Sequence, residues 1–155
     1  MTPSIQKIID ALRQSSIALP KELIFTAASE NTENLDILFN IAIECAQNNR
    51  LEQAAGILNE LALFRKDDSG ILYSLGFIAS IKREHEKAVE LYDRAIELNP
   101  QDQAALINKG ASLNELKRYE EALTSLDKAI ALNPATAQAW SNKGTALNEL
   151  KRYEA

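Results

Sequence analysis

Apolar residues recur three and four positions apart along most of the chain, a spacing that gathers them on one face of an α-helix. Leu106, Gly110, Leu113 and Leu116 form one such stripe. After a short polar turn around Lys117 and Arg118 a second follows, with Ala122, Leu123, Leu126, Ala129, Ile130 and Leu132. The pair predicts a helical hairpin. Asn133-Pro134 stops its second helix, because the residue before a proline is pushed out of the α region, and Asn99-Pro100 does the same earlier in the chain. Asp102 and Thr136 then stand where the N-caps of the following helices belong, with side-chain oxygens able to accept from the first free amides.

The hairpin recurs. Asn108-Lys109-Gly110 and Leu113 to Glu120 return 34 residues later as Asn142-Lys143-Gly144 and Leu147 to Glu154. One step back, Leu72, Gly76, Ala88, Asp93, Ala95, Ile96, Leu98, Asn99 and Pro100 fall into register, and a further step reaches a weaker copy with Leu38, Ala42, Ala54, Leu58 and Leu61. The expected organisation is a helical leader over residues 1–34, a degenerate unit over 35–68, full units over 69–102 and 103–136, and an incomplete unit over 137–155. Glycine inside a helix costs about 1 kcal/mol relative to alanine, so its recurrence at Gly76, Gly110 and Gly144 predicts close approach of two helices, with Ala88 and Ala122 answering from the second one.

Composition narrows the function. With 155 residues, 46% hydrophobic and 25% charged, the chain is of ordinary globular composition, and five glycines with four prolines leave little material for the turns of an all-β fold. A net charge of −5 argues against nucleic acid, whose phosphates need a clustered positive surface. No stretch approaches the roughly 18 apolar residues of a membrane span, and Lys7, Asp10 and Arg13 interrupt the N-terminal segment, which reads as an amphipathic helix and not as a signal peptide. A reduced, cytoplasmic compartment is the simplest reading.

The chemistry-bearing residues are few. Cys45 and His85 are each the only one of their kind, too few for a disulfide or a zinc site. Cys45 follows Ala42 by three residues and reads as a buried, inert thiol; His85 falls in a turn and reads as a packing residue. The glycines are isolated, so no phosphate-cradling loop is present, and acidic pairs such as Glu120 and Glu121 sit at helix starts, where they favour the helix dipole. No catalytic residue, metal or cofactor is nominated, and the expectation is a protein that is not an enzyme.

These residues resemble the tetratricopeptide repeat family, whose 34-residue unit carries a large residue at its fourth place, Gly or Ala at the eighth, an aromatic near the turn, Ala at the twentieth and Pro near the end. Trp140, Gly144 and Tyr153 hold those places in the last unit, Leu106, Gly110, Tyr119, Ala122 and Pro134 in the third, and Leu72, Gly76, Ala88 and Pro100 in the second, with His85 at the aromatic place. The match is strong over residues 69–155 and weak over 35–68, where Ala42, Leu51 and Lys66 replace the Gly, the aromatic and the Pro. The resemblance implies an all-α fold, a right-handed superhelical solenoid of antiparallel helix hairpins with an N-terminal helical cap.

It also implies a concave groove lined by the first helix of each unit. At the lining places Phe39, Ile43, Tyr73, Phe77 and Ile81 make an apolar half suited to a partner peptide or helix, while Asn114, Arg118, Asn148 and Arg152 make a polar half. Alternatively the leader helices fold over the apolar half. Glu115 with Arg118 and Glu149 with Arg152 stand three apart and are placed to pair. Asn108 and Asn142 read as bonding backbone between units. One subset of the family grips chaperone C-termini with basic residues and Asn; Phe39, Ile43, Tyr73, Phe77, Gln138 and Asn142 stand where those are needed, so a carboxylate clamp is not expected.

At the start of the chain, Thr2-Pro3 before Ile5, Ile8, Ile9 and Leu12, and Pro20 before Leu23, Ile24 and Phe25, predict two helices that cap the array. Ser29 to Asn34 reads as a flexible joint. The last unit stops after its first helix and turn, leaving a face of Trp140, Leu147 and Leu150 without a second helix. Either the chain is cut from a longer array, or the lone helix is the cap, or another copy covers it in a homo-oligomer. The function expected is a protein-binding adaptor. The alternatives are a scaffold or targeting segment of a longer enzyme, such as a glycosyltransferase or kinase, and a chaperone like those of type III secretion translocators.

Overall fold

A computed structural model of the chain describes residues 2–14 and 19–150, and among them it holds nine α-helices and no strand. They are α1 (Pro3–Gln14), α2 (Lys21–Glu30), α3 (Thr32–Gln47), α4 (Leu51–Phe64), α5 (Ser69–Ile81), α6 (His85–Leu98), α7 (Gln103–Glu115), α8 (Tyr119–Leu132) and α9 (Ala137–Glu149). The fold is all-α and tetratricopeptide-like, a series of antiparallel hairpins preceded by two leader helices. It divides into two compact units, Met1–Ile78 and Ala79–Ala155, with the division falling inside α5.

In the first unit the leader is packed as core. Ile5, Ile8 and Leu12 of α1 and Ile24 and Ala27 of α2 lie buried in one cluster with Leu38 and Ala42 of α3, Ile57, Leu58 and Leu61 of α4, and Ile71 of α5. Each large aliphatic side chain removed from water in this way contributes about 1.5–3 kcal/mol before entropy is subtracted. The stretch Ser29–Asn34 is not the joint its composition suggests. Helix α2 runs through Glu30, a single extended residue, Asn31, links it to α3, and Asn31 Oδ1 caps α3 by accepting from the Asn34 amide at 2.8 Å. Asn34 itself is 1% exposed and donates through Nδ2 to Ala27 O (2.7 Å), Thr2 Oγ1 (3.1 Å) and Glu30 Oε2 (3.1 Å). The Ser4 hydroxyl donates to the same Glu30 carboxylate. These polar residues bond one another across the leader, which is why a segment rich in turn-formers became a fixed corner.

The three hairpin turns share one device. Asn49, Arg83 and Lys117, spaced at the repeat interval, have φ of 58°, 63° and 61°, in the left-handed region. Each donates its N–H to a carbonyl three residues back (Ala46, Ser80, Asn114), and the next residue donates five back, Arg50 to Cys45, Glu84 to Ala79 and Arg118 to Leu113, at 2.8–2.9 Å. This is the Schellman arrangement that closes a helix C-terminus.

The second unit is built from smaller side chains. Val89, Leu113, Ala122, Leu126 and Ala146 form one cluster, and Leu106, Ile107, Ala129 and Ala139 another. A β-carbon built on Gly110 would lie 2.6 Å from Leu126 Cγ, so the close approach expected there is present, with Leu126 the nearest side chain. Gly144 has nothing within 4 Å of the same point, and the close-contact expectation fails at that position, for want of a facing side chain among the described residues. Two ion pairs repeat at the unit interval, Lys109 to Asp93 at 2.5 Å and Lys143 to Asp127 at 2.8 Å. Asp102 caps α7 as expected, accepting from the Ala105 amide at 3.0 Å. Thr136 occupies the corresponding place before α9 but makes no cap bond. Its hydroxyl instead accepts from Gln103 Nε2 at 2.8 Å, and the same amide group also reaches Ala129 O at 2.9 Å.

Candidate functional site

Tyr73, Phe77 and Ile81 follow one another at four-residue steps along α5, so they share one face of that helix. The Tyr73 and Phe77 rings stack with centroids 6.5 Å apart and planes 15° from parallel. Tyr73 is half-buried, whereas Phe77 and Ile81 stay 42% and 46% exposed. On α3, Phe39 and Ile43 are half-buried; Phe39 packs against the core of the first unit and its Cζ comes within 3.7 Å of the position a β-carbon on Gly70 would take. The first unit therefore brings Phe39, Tyr73 and Phe77 to α3 and α5. The leader helices spend their apolar faces on the core and leave Phe77 and Ile81 open to solvent.

The polar positions are spoken for more than the sequence suggested. Asn114 is half-buried and donates through Nδ2 to the Asn142 carbonyl at 2.9 Å, tying α7 to α9. Arg118 pairs with Glu121 and not with Glu115: Nε reaches Oε1 at 2.7 Å and a terminal guanidinium nitrogen reaches Oε2 at 2.6 Å. Arg118 precedes α8, so a carboxylate in the first turn of α8 is one helical step away, while Glu115 lies beyond the left-handed turn at Lys117. Hydrogen bonding between the two partners raises the Arg118 pKa and lowers that of Glu121, each keeping its charge. Glu149 accepts from the Tyr119 hydroxyl at 3.5 Å, and burial followed by the Glu149 charge raises the Tyr119 pKa. Asn148 is exposed, and Arg152, Tyr153 and the expected Glu149–Arg152 pair lie outside the described residues.

At the far end, Trp140 is half exposed, donates Nε1 to the Pro134 carbonyl at 2.8 Å and has Lys143 Nζ 5.3 Å from its ring centroid. Leu147 and Leu150 are half-buried. Cys45 is buried and free, and burial pushes its thiol pKa up, which suits a packing role. Among the described residues no three His, Cys, Asp or Glu side chains gather to hold a metal ion, and no helix is long and apolar enough to cross a membrane.

Two features escaped the sequence. Phe25 of α2 and Phe64 of α4 bring their rings to 5.2 Å, beside Leu63, and all three are exposed. Phe25 was grouped with Leu23 and Ile24 in the second leader helix, and helix phase separates it from Ile24, which is buried. In the second unit a pocket of about 300 Å³ opens between the α5–α6 turn and α7, bordered by Ile81, Arg83, His85, Ala111, Ser112 and Glu115. Its walls come from residues some thirty positions apart, a juxtaposition only the folded hairpins produce.

Repeated hairpins of this kind, with exposed side chains on their first helices, define a helical-repeat protein of the interaction class. Family profiles for the TPR repeat and the tetratricopeptide repeat match residues 110–151 and 82–130. Among solved structures the chain is similar to MamA from Desulfovibrio magneticus RS-1 (residues 41 to the end), with a TM-score of 0.72 and 30% identity, 76% of this chain aligning with 67% of that one. A double mutant of MamA from RS-1 aligns at 0.71 over 66% of its length, so this chain spans about two thirds of those proteins. The first TPR of Spaghetti (RPAP3), bound to the HSP90 peptide SRMEEVD, has a TM-score of 0.74 at 14% identity, covering 78% of this chain and 96% of that one. No curated protein matches the chain. The chain belongs to the tetratricopeptide repeat family, and its fold is that of a protein-interaction module.

Proposed function

We propose that the chain is a non-catalytic adaptor of a reduced, cytoplasmic compartment that holds a segment of a protein partner against the face of α5. The observation that carries this is the row Tyr73, Phe77, Ile81, where two large apolar side chains remain more than two-fifths exposed. Stacked aromatics on a rigid helix lose little freedom on binding and bury a large area, so they anchor an apolar side chain of the partner. A protein of the same fold, the first TPR of RPAP3, is bound to a peptide. Phe39 and Ile43 extend the apolar surface within the first unit, and Asn148 is an exposed polar position on α9.

A second reading has one observation behind it. The chain is similar to O-GlcNAc transferase from Thermobaculum terrenum (a K341M mutant) at 25% identity and a TM-score of 0.69, covering 73% of this chain but 22% of that one. An array of this kind is there one part of a larger protein, and the same α5 face would then serve as the targeting surface of an enzyme.

The test is capture of partners from native lysate by the wild-type chain and by Phe77→Glu in parallel, followed by mass spectrometry. A bound protein should be lost from the variant by about 30-fold or more in affinity, the loss of a central aromatic anchor, with helicity unchanged. Phe25→Glu, on the α2–α4 patch, should leave that capture intact. Equal retention by wild type and Phe77→Glu would remove α5 from the binding surface.

A further inference from the structure

We infer that the pocket bordered by the α5–α6 turn and α7 is a subsite for a carboxamide, the side chain of an asparagine or glutamine carried by the bound segment; this rests on the reading of the chain as a peptide-binding adaptor. Two of the residues that line it carry a buried polar atom without a hydrogen-bond partner, Ser112 at Oγ and His85 at Nδ1. Ser112 is 1% exposed. Buried polar groups are paired in the great majority of cases, so two orphans at one pocket are an unmet demand for hydrogen bonds. With no bond fixing its rotamer, Ser112 would give up no hydrogen bond in turning about χ1 to meet a ligand atom.

The remaining walls select the ligand. Arg83 supplies a cation and Glu115 an anion, so a carboxylate would face Glu115 and an ammonium would face Arg83. A carboxamide carries no charge, offers two N–H donors and a carbonyl acceptor on one plane, and so satisfies both kinds of wall at once. Ser112 is able to donate or accept, and a neutral imidazole nitrogen does either according to tautomer. Ile81 and Ala111 present apolar surface to the methylene stem. At about 300 Å³ the pocket is roughly ten times the volume share of one liquid water, room for a side chain and not merely for a bridging solvent molecule. Ile81 is also the last residue of the apolar row on α5.

The probe is N-acetyl-glutamine N-methylamide, titrated into the full chain while the ring signals of His85, the only histidine, and the Ala111 methyl are followed by NMR. Saturable shifts of both are expected, with the norleucine and glutamate counterparts binding at least about threefold more weakly. Ser112→Ala should weaken the glutamine probe about fivefold, the worth of one net hydrogen bond, while its melting temperature stays the same or rises because a buried orphan hydroxyl is gone. No saturable shift, an equal response to norleucine, or undiminished binding to Ser112→Ala overturns the subsite. The two proposals fail separately. Phe77→Glu should leave probe binding intact; a probe that binds while partner capture ignores Phe77 refutes the α5 docking face alone, and Phe77-dependent capture with no probe response refutes the subsite alone.

Discussion

The two units of the chain solve the same packing problem with different materials. Unit Met1–Ile78 fills its interior with large aliphatic residues, several of them supplied by leader helices that follow no repeat. Unit Ala79–Ala155 uses alanines at 88, 95, 105, 122, 129, 139 and 146, brings its helices close enough that Gly110 is required, and fastens successive hairpins with Lys109–Asp93 and Lys143–Asp127. At the places of Asp93 and Lys109 the earlier repeat has Asn59 and Leu75, and Leu75 packs on the apolar core instead. The degenerate repeat is thus no weakened version of the consensus. It has exchanged a polar fastening between neighbours for an apolar seat on which a non-repeating leader docks.

The sharpest way to break this contrast is Gly110→Leu. Its first carbon alone would sit 2.6 Å from Leu126, so the second unit should lose about 3 kcal/mol or more, and a melting transition like that of wild type would contradict the close approach. Gly144→Ala, with nothing within 4 Å, should instead raise stability by up to about 1 kcal/mol through helix propensity. Next in size is Asn34→Ala, which should cost the first unit about 1–3 kcal/mol by leaving the buried Ala27 carbonyl short of a donor, read as faster hydrogen exchange in α1 and α2. Glu30, in the same corner, has its pKa lowered chiefly by the bond from Ser4. Its contribution is present above the ordinary carboxylate range and is lost as pH falls through the lowered value, a dependence that Glu30→Gln should abolish. The smallest effect belongs to the second unit's ion pairs. A double-mutant cycle on Lys109 and Asp93 should return about 0.2–1 kcal/mol, shrinking with added salt.

Much of the fold was written in local pattern. The 34-residue period, the stops at Asn99-Pro100 and Asn133-Pro134 and the cap at Asp102 depend on residues near one another in the chain, and each element followed from them. What was not legible depended on the third dimension. Thr136 is a good cap by type, yet its hydroxyl goes to Gln103, thirty-three positions away, and Arg118 selects Glu121 because of a left-handed residue at Lys117 that no glycine announced. Ser29–Asn34 read as loose because its residues favour turns, and the segment is held because Glu30, Asn31 and Asn34 find partners in the leader. The apolar row on α5 followed from the family resemblance, which assigns Tyr73, Phe77 and Ile81 to the lining places of a first helix. The pocket beside it did not, since Ser112 looks like any polar residue on a helix until the turn at Arg83 and His85 is folded against it.

The left-handed turns carry a consequence for how the chain comes apart. Arg50, the pair Lys82-Arg83 and the pair Lys117-Arg118 place trypsin sites at or beside those turns, at intervals of one repeat. A protease needs its substrate extended, and the bonds closing each turn must first open. Digestion therefore works as a perforation along the molecule: nicks appear in the order in which the turns let go, and each cut separates the two helices of one hairpin, so that α4 leaves with α5 and α6 with α7. The lengths of the first fragments released would report which hairpin opens first, with no label attached to the protein.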